Sequence, residues 1–243
     1  MPNTIAIGKV MLLGGVDTAD FEKFAAEEFN AFGHQPGAEN NILKGVRGDR
    51  TGRYLHLVRG ETVNGASTRN KRSEEPAGRQ VSARDAGDIH IEVQQLIRSG
   101  LGRATAAKWD SWAQTGLYTA YRSVGKEMTG MPEEVLIEPV TLRPGVTEAD
   151  FERFVTERYY AMSRLSGEEG YLLKGDRGDR AGKYMLLIAY DSVEVRNHRS
   201  TGGGKLSPEM REWADSSFVQ TTVAIWDSLA HTGLYTSYVV LGR

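Results

Sequence analysis

The chain has 243 residues, 40% of them hydrophobic and 26% charged, with a formal net charge of -2 and no cysteine. A near-neutral balance excludes a global electrostatic footprint for nucleic acid. The lack of cysteine excludes disulfides, thiolate metal sites and cysteine nucleophiles. No stretch reaches the roughly 20 apolar residues of a membrane helix. The first residues lack the basic region of a secretory signal, so a cytoplasmic soluble protein without a membrane partner is expected.

In chain order, a first strand is predicted around Lys9–Gly14, followed by a helix capped by Asp17 with apolar residues at Phe21, Phe24, Ala25, Phe29 and Phe32. Two short strands, Asn41–Gly45 and Arg53–Gly60, flank a turn at Asp49–Gly52. Aspartate first and glycine fourth suit a type I turn, with Gly52 in the left-handed position. The run Arg69–Arg72 reads as a solvated loop, and extra residues fall between Glu74 and Gly102. A second helix carries Trp109 and is predicted to stop at Gly116 with a left-handed cap. The closing strand holds Leu117–Tyr121.

The same series then returns. "KGVRGDRTGRY" at Lys44–Tyr54 is matched at eight of eleven positions by "KGDRGDRAGKY" at Lys174–Tyr184. "ADFEKF" at Ala19–Phe24 becomes "ADFERF" at Ala149–Phe154, and "WDSWAQTGLYTAY" at Trp109–Tyr121 becomes "WDSLAHTGLYTSY" at Trp226–Tyr238. Thr147 and Asp150 have capping-box spacing, with Asp in place of Glu. Phe151, Phe154, Val155, Tyr159 and Met162 repeat the helical stripe, and Ser207-Pro208 opens the last helix. Phe218, Val219, Thr222, Val223, Trp226, Leu229 and Ala230 give that helix its expected apolar stripe, ending at Gly233. Three ordered matches identify a tandem duplication of a unit of about 120 residues, divided as 1–128 and 129–243.

Each unit reads strand-helix-strand-strand-helix-strand, the ferredoxin-like split motif. Helices cover one face of such a sheet and the other face needs cover. The expected fold is therefore α+β: two tandem ferredoxin-like βαββαβ units packed sheet-to-sheet as an intrachain pseudo-dimeric α/β barrel. On this element order the chain resembles the dimeric α/β-barrel superfamily in its fused two-repeat form. That superfamily includes antibiotic-biosynthesis-type and haem-degrading monooxygenases and chlorite dismutase-like haem proteins. The resemblance implies a small-molecule-binding protein, with oxidoreductase or monooxygenase-like chemistry on an aromatic or apolar substrate. The competing class is a non-catalytic structural or interaction protein that makes homo-oligomer contacts.

The residues that the resemblance singles out lie mostly in the second unit. In the resembling haem proteins a helix histidine binds iron, and His231 or His198 is the counterpart by analogy. The sequence itself requires no cofactor, and no histidine pair has metal-ligand spacing. Cofactor-free monooxygenases of this superfamily use Asn, Trp and His around an aromatic substrate. By residue type this implies Asn70, Asn197, Trp109, Trp226, Tyr118 and Tyr235, with Asp110 and Asp227 as pocket acids. His231 replaces Gln114, and His198 replaces Lys71. A duplicated scaffold that keeps one working pocket should show such asymmetry, although drift at exposed sites gives the same pattern. Arg50 and Arg180 are candidates to clamp an anionic ligand. The Arg-Gly-Asp tripeptides read as hairpin tips. "GGGK" at Gly202–Lys205 lacks phosphate-loop spacing and reads as a linker.

Overall fold

The computed structural model describes residues 4–30, 34–35, 38–60, 89–95, 98, 101–163, 167–198 and 206–242. The expectations for Phe32, Asn70, Arg69–Arg72 and Gly202–Lys205 lie outside these residues, as does the side chain of His198.

Among the described residues ten strands form one antiparallel sheet: β1 (Thr4–Leu12), β2 (His34–Gln35), β3 (Ala38–Gly48), β4 (Tyr54–Gly60), β5 (Ala113–Ser123), β6 (Glu134–Leu142), β7 (Glu168–Gly178), β8 (Tyr184–Tyr190), β9 (Ala230–Thr232) and β10 (Thr236–Val240). Eight of them run β10-β3-β4-β1-β5-β7-β8-β6, and β10 pairs β6 again, which closes a barrel. The first half of the chain contributes β3-β4-β1-β5, and the second contributes β7-β8-β6 with β9 and β10. Closure removes the unpaired edges that an open sheet would expose.

Strand alternation sorts the apolar residues into three cores. Ile5, Ile7, Leu55, Leu57, Tyr121, Ile137, Leu187 and Tyr238 fill the barrel from both halves. Phe21, Phe24, Phe29, Tyr54, Trp109 and Tyr118 pack between sheet and helices in the first half. Phe151, Val155, Tyr159, Tyr184 and Trp226 do so in the second.

The caps follow the local sequence. Asp17 accepts from the Ala19 and Asp20 amides, and Thr147 accepts from the Asp150 amide at 3.1 Å. Both first helices then widen into one π turn, Ala25–Phe29 and Val155–Tyr159. The last helix opens at Ser207-Pro208 as expected but is broken at Ser216, which caps the second segment, Ser217–Leu229. Its buried residues are Val219, Thr222 and Trp226, whereas Phe218 and Val223 are exposed. The glycine stops are corrected. The helices end at Trp112 and Leu229, and the next residue is already extended. Backbone amides of Leu13 and Arg143 bind those terminal carbonyls at 2.9 Å, so no left-handed cap is needed. The hydrogen-bonded hairpin turns also run one residue later than expected. Arg53 N–H donates to Arg50 O, and Lys183 N–H to Arg180 O, each at 3.0 Å, with Gly52 and Gly182 at positive φ.

These hairpin tips make the seams. The Thr236 hydroxyl donates to Asp49 and the Thr119 hydroxyl to Asp179, each at 2.5 Å. The chain ends also cross over: Asn30 binds the Leu241 carbonyl, and Tyr160 binds the Val124 carbonyl at 2.6 Å. Each half thus fastens the end of the other at equivalent places.

Candidate functional site

On β4, Tyr54, His56 and Val58 face the helices while Leu55 and Leu57 face the barrel. His56 is completely buried. The matching position on β8 holds Leu186, an apolar member of the second helix-sheet core. Gly8 on β1 pairs with both His56 and Tyr118 in the strand register. A Cβ on Gly8 would stand 2.6 Å from Tyr118 Cε1. The bare backbone lets the Tyr118 ring lie across β1 and bring its hydroxyl 2.6 Å from His56 Nδ1. In the second half Glu138 takes the place of Gly8. Tyr235, the counterpart of Tyr118, is 41% exposed.

On β5, three residues before Tyr118, the Thr115 hydroxyl accepts from Gln94 Nε2 at 2.5 Å. With the Tyr118 hydroxyl as donor to His56 Nδ1, the imidazole proton sits on Nε2. His56 Nε2 has no protein partner among the described residues. Burial pushes the imidazole down to about 3 and the Tyr118 phenol well above its ordinary value. Both groups are uncharged at neutral pH, because low-dielectric surroundings disfavour either ion.

Aromatic rings enclose the pair. The π turn delivers Phe29 to 5.4 Å from the His56 ring and 4.6 Å from Trp109. Trp109 lies 6.3 Å from His56, and the His90 ring lies 5.8 Å from Tyr118. His90 Nδ1 is buried without a protein partner among the described residues. The Phe29, Trp109 and Tyr118 rings and the two imidazoles thus form one buried layer, with two ring nitrogens that have no protein partner among the described residues.

Of the residues singled out from sequence, Trp109 and Tyr118 meet in this layer. Asp110 lies on the exposed side of its helix, 3.4 Å from Arg98. Trp226 packs with Phe151 and Tyr159 in the other half, at 5.4 and 4.9 Å. Asp227, His231 and Asn197 are exposed, and Asn197 and His198 close the short helix Val193–His198. His198, His231, Asn197 and Trp226 therefore do not gather at one described cavity. Arg50 and Arg180 line the mouth of the barrel. His56 is not among the residues singled out from sequence, although "RYLHLVRG" and "KYMLLIAY" set it against Leu186.

His231 does not fit the haem arrangement implied by the resemblance. His231 stands exposed on β9, while Trp226, Tyr159 and Phe151 fill the layer beneath the helices.

No protein-family model and no curated protein matches the chain. Solved structures resemble it over its full length. A protein provisionally assigned as a chlorite dismutase shares 10% identity, covering 100% of this chain and 97% of its own, at a TM-score of 0.51. A provisionally assigned monooxygenase from Fusobacterium nucleatum subsp. nucleatum shares 10% identity, covering 99% and 93%, at 0.50. Another from Lactobacillus acidophilus shares 9%, covering 99% and 94%, at 0.51. The chain has the dimeric α/β-barrel fold. At these identities the likeness is one of fold, and function rests on the site.

Proposed function

We propose that residues 1–128 and 129–243 are two ferredoxin-like units fused into one pseudo-dimeric barrel, and that the first unit oxidises a small aromatic molecule. The substrate class is an aromatic ring carrying a hydroxyl or keto group, and dioxygen is the oxidant. Support for the architecture comes from the equivalent strand orders and reciprocal seams of the two halves. Support for oxidation comes from the monooxygenase named among the structural neighbours.

The observation that carries the chemistry is the buried, uncharged His56 held by Tyr118, with Nε2 meeting no protein partner among the described residues. His56 Nε2–H donates to the substrate oxygen and stabilises charge developing there. His90 Nδ1 accepts the proton that leaves an activated ring carbon. The resulting electron-rich ring reduces dioxygen. One oxygen atom enters the ring as a carbonyl and the other leaves as water, using the two ring hydrogens of an activated CH2.

An oxygen electrode tests this with anthrone, naphthols and hydroquinones. Uptake is expected for at least one of them and should fall at least a hundredfold in His56→Leu, which copies the second unit. The competing reading is a non-catalytic assembly protein, supported by the exposed Phe218 and Val223. Undiminished uptake in His56→Leu, or no uptake from any compound, would favour that reading.

A further inference from the structure

The duplicated Arg-Gly-Asp-Arg tips also converge on one chamber. Both reach the same end of the barrel, where they line a cavity of about 950 Å³. The Asp49 and Asp179 carboxylates are taken up by Thr236 and Thr119 at the seams. Arg50 and Arg180 are left to face the cavity. Arg50 Nε is 3.9 Å from Asp49, a loose contact, and Arg180 makes no ion pair among the described residues.

Beneath the arginines lie Tyr121 and Tyr238, each only 1% exposed. Arg50 and Arg180 line the same cavity as the Tyr121 and Tyr238 rings. Lys9 and Lys183 add positive charge to the lining, against Asp49, Asp179 and Glu148. Glu148 is already bound by Lys174 at 2.6 Å. Ile7, Leu55, Ile137 and Met185 give the wall an apolar part, beside Thr119, Thr141 and Thr236. At the rim stand Leu117 and Leu234, 54% and 75% exposed, one from each "GLYT" motif. Large apolar side chains exposed beside a charged cavity mark a binding surface more often than a bare one.

We propose that the barrel mouth binds an amphipathic organic anion, its carboxylate between Arg50 and Arg180 and its apolar body against the barrel wall and the rim leucines. Guanidinium groups suit this head because their fork of donors matches a carboxylate. The site is separate from the oxidation site. Leu55 lines it, while the adjacent His56 faces the opposite side of the sheet.

Titration calorimetry with dodecanoate, kept below its micelle concentration, tests the assignment on the full chain, with dodecan-1-ol as the uncharged control. Dodecanoate is expected to bind at one site. Affinity should fall about tenfold in Arg50→Gln and in Arg180→Gln, and further in the double variant, as expected for lost charge-assisted hydrogen bonds. Circular dichroism confirms that the variants are folded. His56→Leu should leave dodecanoate affinity unchanged, so this site and the oxidation site can fail independently. Absent dodecanoate binding, equal binding of the alcohol, or unchanged affinity in the folded double variant would each overturn the proposal.

Discussion

The Tyr118 hydroxyl reaches His56 Nδ1 at 2.6 Å by crossing the one residue, Gly8, that has no side chain to stop it. Gly8, His56 and Tyr118 share one row across β4, β1 and β5. Three separate stretches of sequence have to agree for the pair to exist. The second half departs from that pattern at two of the three, with Glu138 and Leu186.

Restoring a side chain at Gly8 should break the row. Gly8→Val is expected to displace the Tyr118 ring and lower stability by about 1–3 kcal/mol, the usual cost of overpacking a filled core. Tyr118→Phe should cost about 1–3 kcal/mol for a different reason, because His56 Nδ1 is left buried without its donor. Urea unfolding measures both.

Acid should act through His56. Its folded value of about 3 lies below the ordinary 6.5, so the unfolded chain binds the proton more readily. The contribution is complete above pH 6.5 and is lost as pH falls toward 3. In this window stability should drop by about 1.4 kcal/mol per pH unit from this group. Unfolding midpoints across that range should fall less steeply in His56→Leu than in the unaltered protein.

A buried ion pair holds the short helix Val193–His198. Glu134 is fully buried, and Arg196 Nε lies 2.8 and 3.0 Å from its two oxygens. Arg196→Ala should cost about 3–5 kcal/mol, since it strands a carboxylate in the interior. Asn197→Ala, an exposed change, should stay within about 0.5 kcal/mol. Thermal unfolding of the two variants compares them directly.

The seams give a prediction about the halves. Residues 1–128 and 129–243, made as separate chains, should associate when mixed, because each alone exposes the face that fills the barrel. Asp49→Ala and Asp179→Ala should each weaken that association by roughly tenfold, the loss of one charge-assisted hydrogen bond. Analytical ultracentrifugation of the mixture gives the answer.

The Asp17, Thr147 and Ser207 caps and the hairpin tips were legible, because each depends on residues close together in sequence. The helix stops were misread because Gly116 and Gly233 looked like caps, while the bonds that end those helices come from Leu13 and Arg143, distant in sequence. The box around His56 is not legible from the sequence for a related reason. His231 and His198 drew notice as histidines that break the repeat, but neither lies in the box built around His56. His56 breaks it too, within "RYLHLVRG", where strand parity decides which face the ring takes. That parity becomes visible only once Leu55 and Leu57 are known to fill the barrel.

The most direct measurement is a histidine-resolved NMR titration, with resonances assigned by single substitution. The His56 ring should stay neutral, with its proton on Nε2, from pH 8 down to about pH 4, well below the ordinary histidine midpoint near 6.5. A His56 midpoint near 6.5, or a proton residing on Nδ1, would contradict the buried pair on which the account rests.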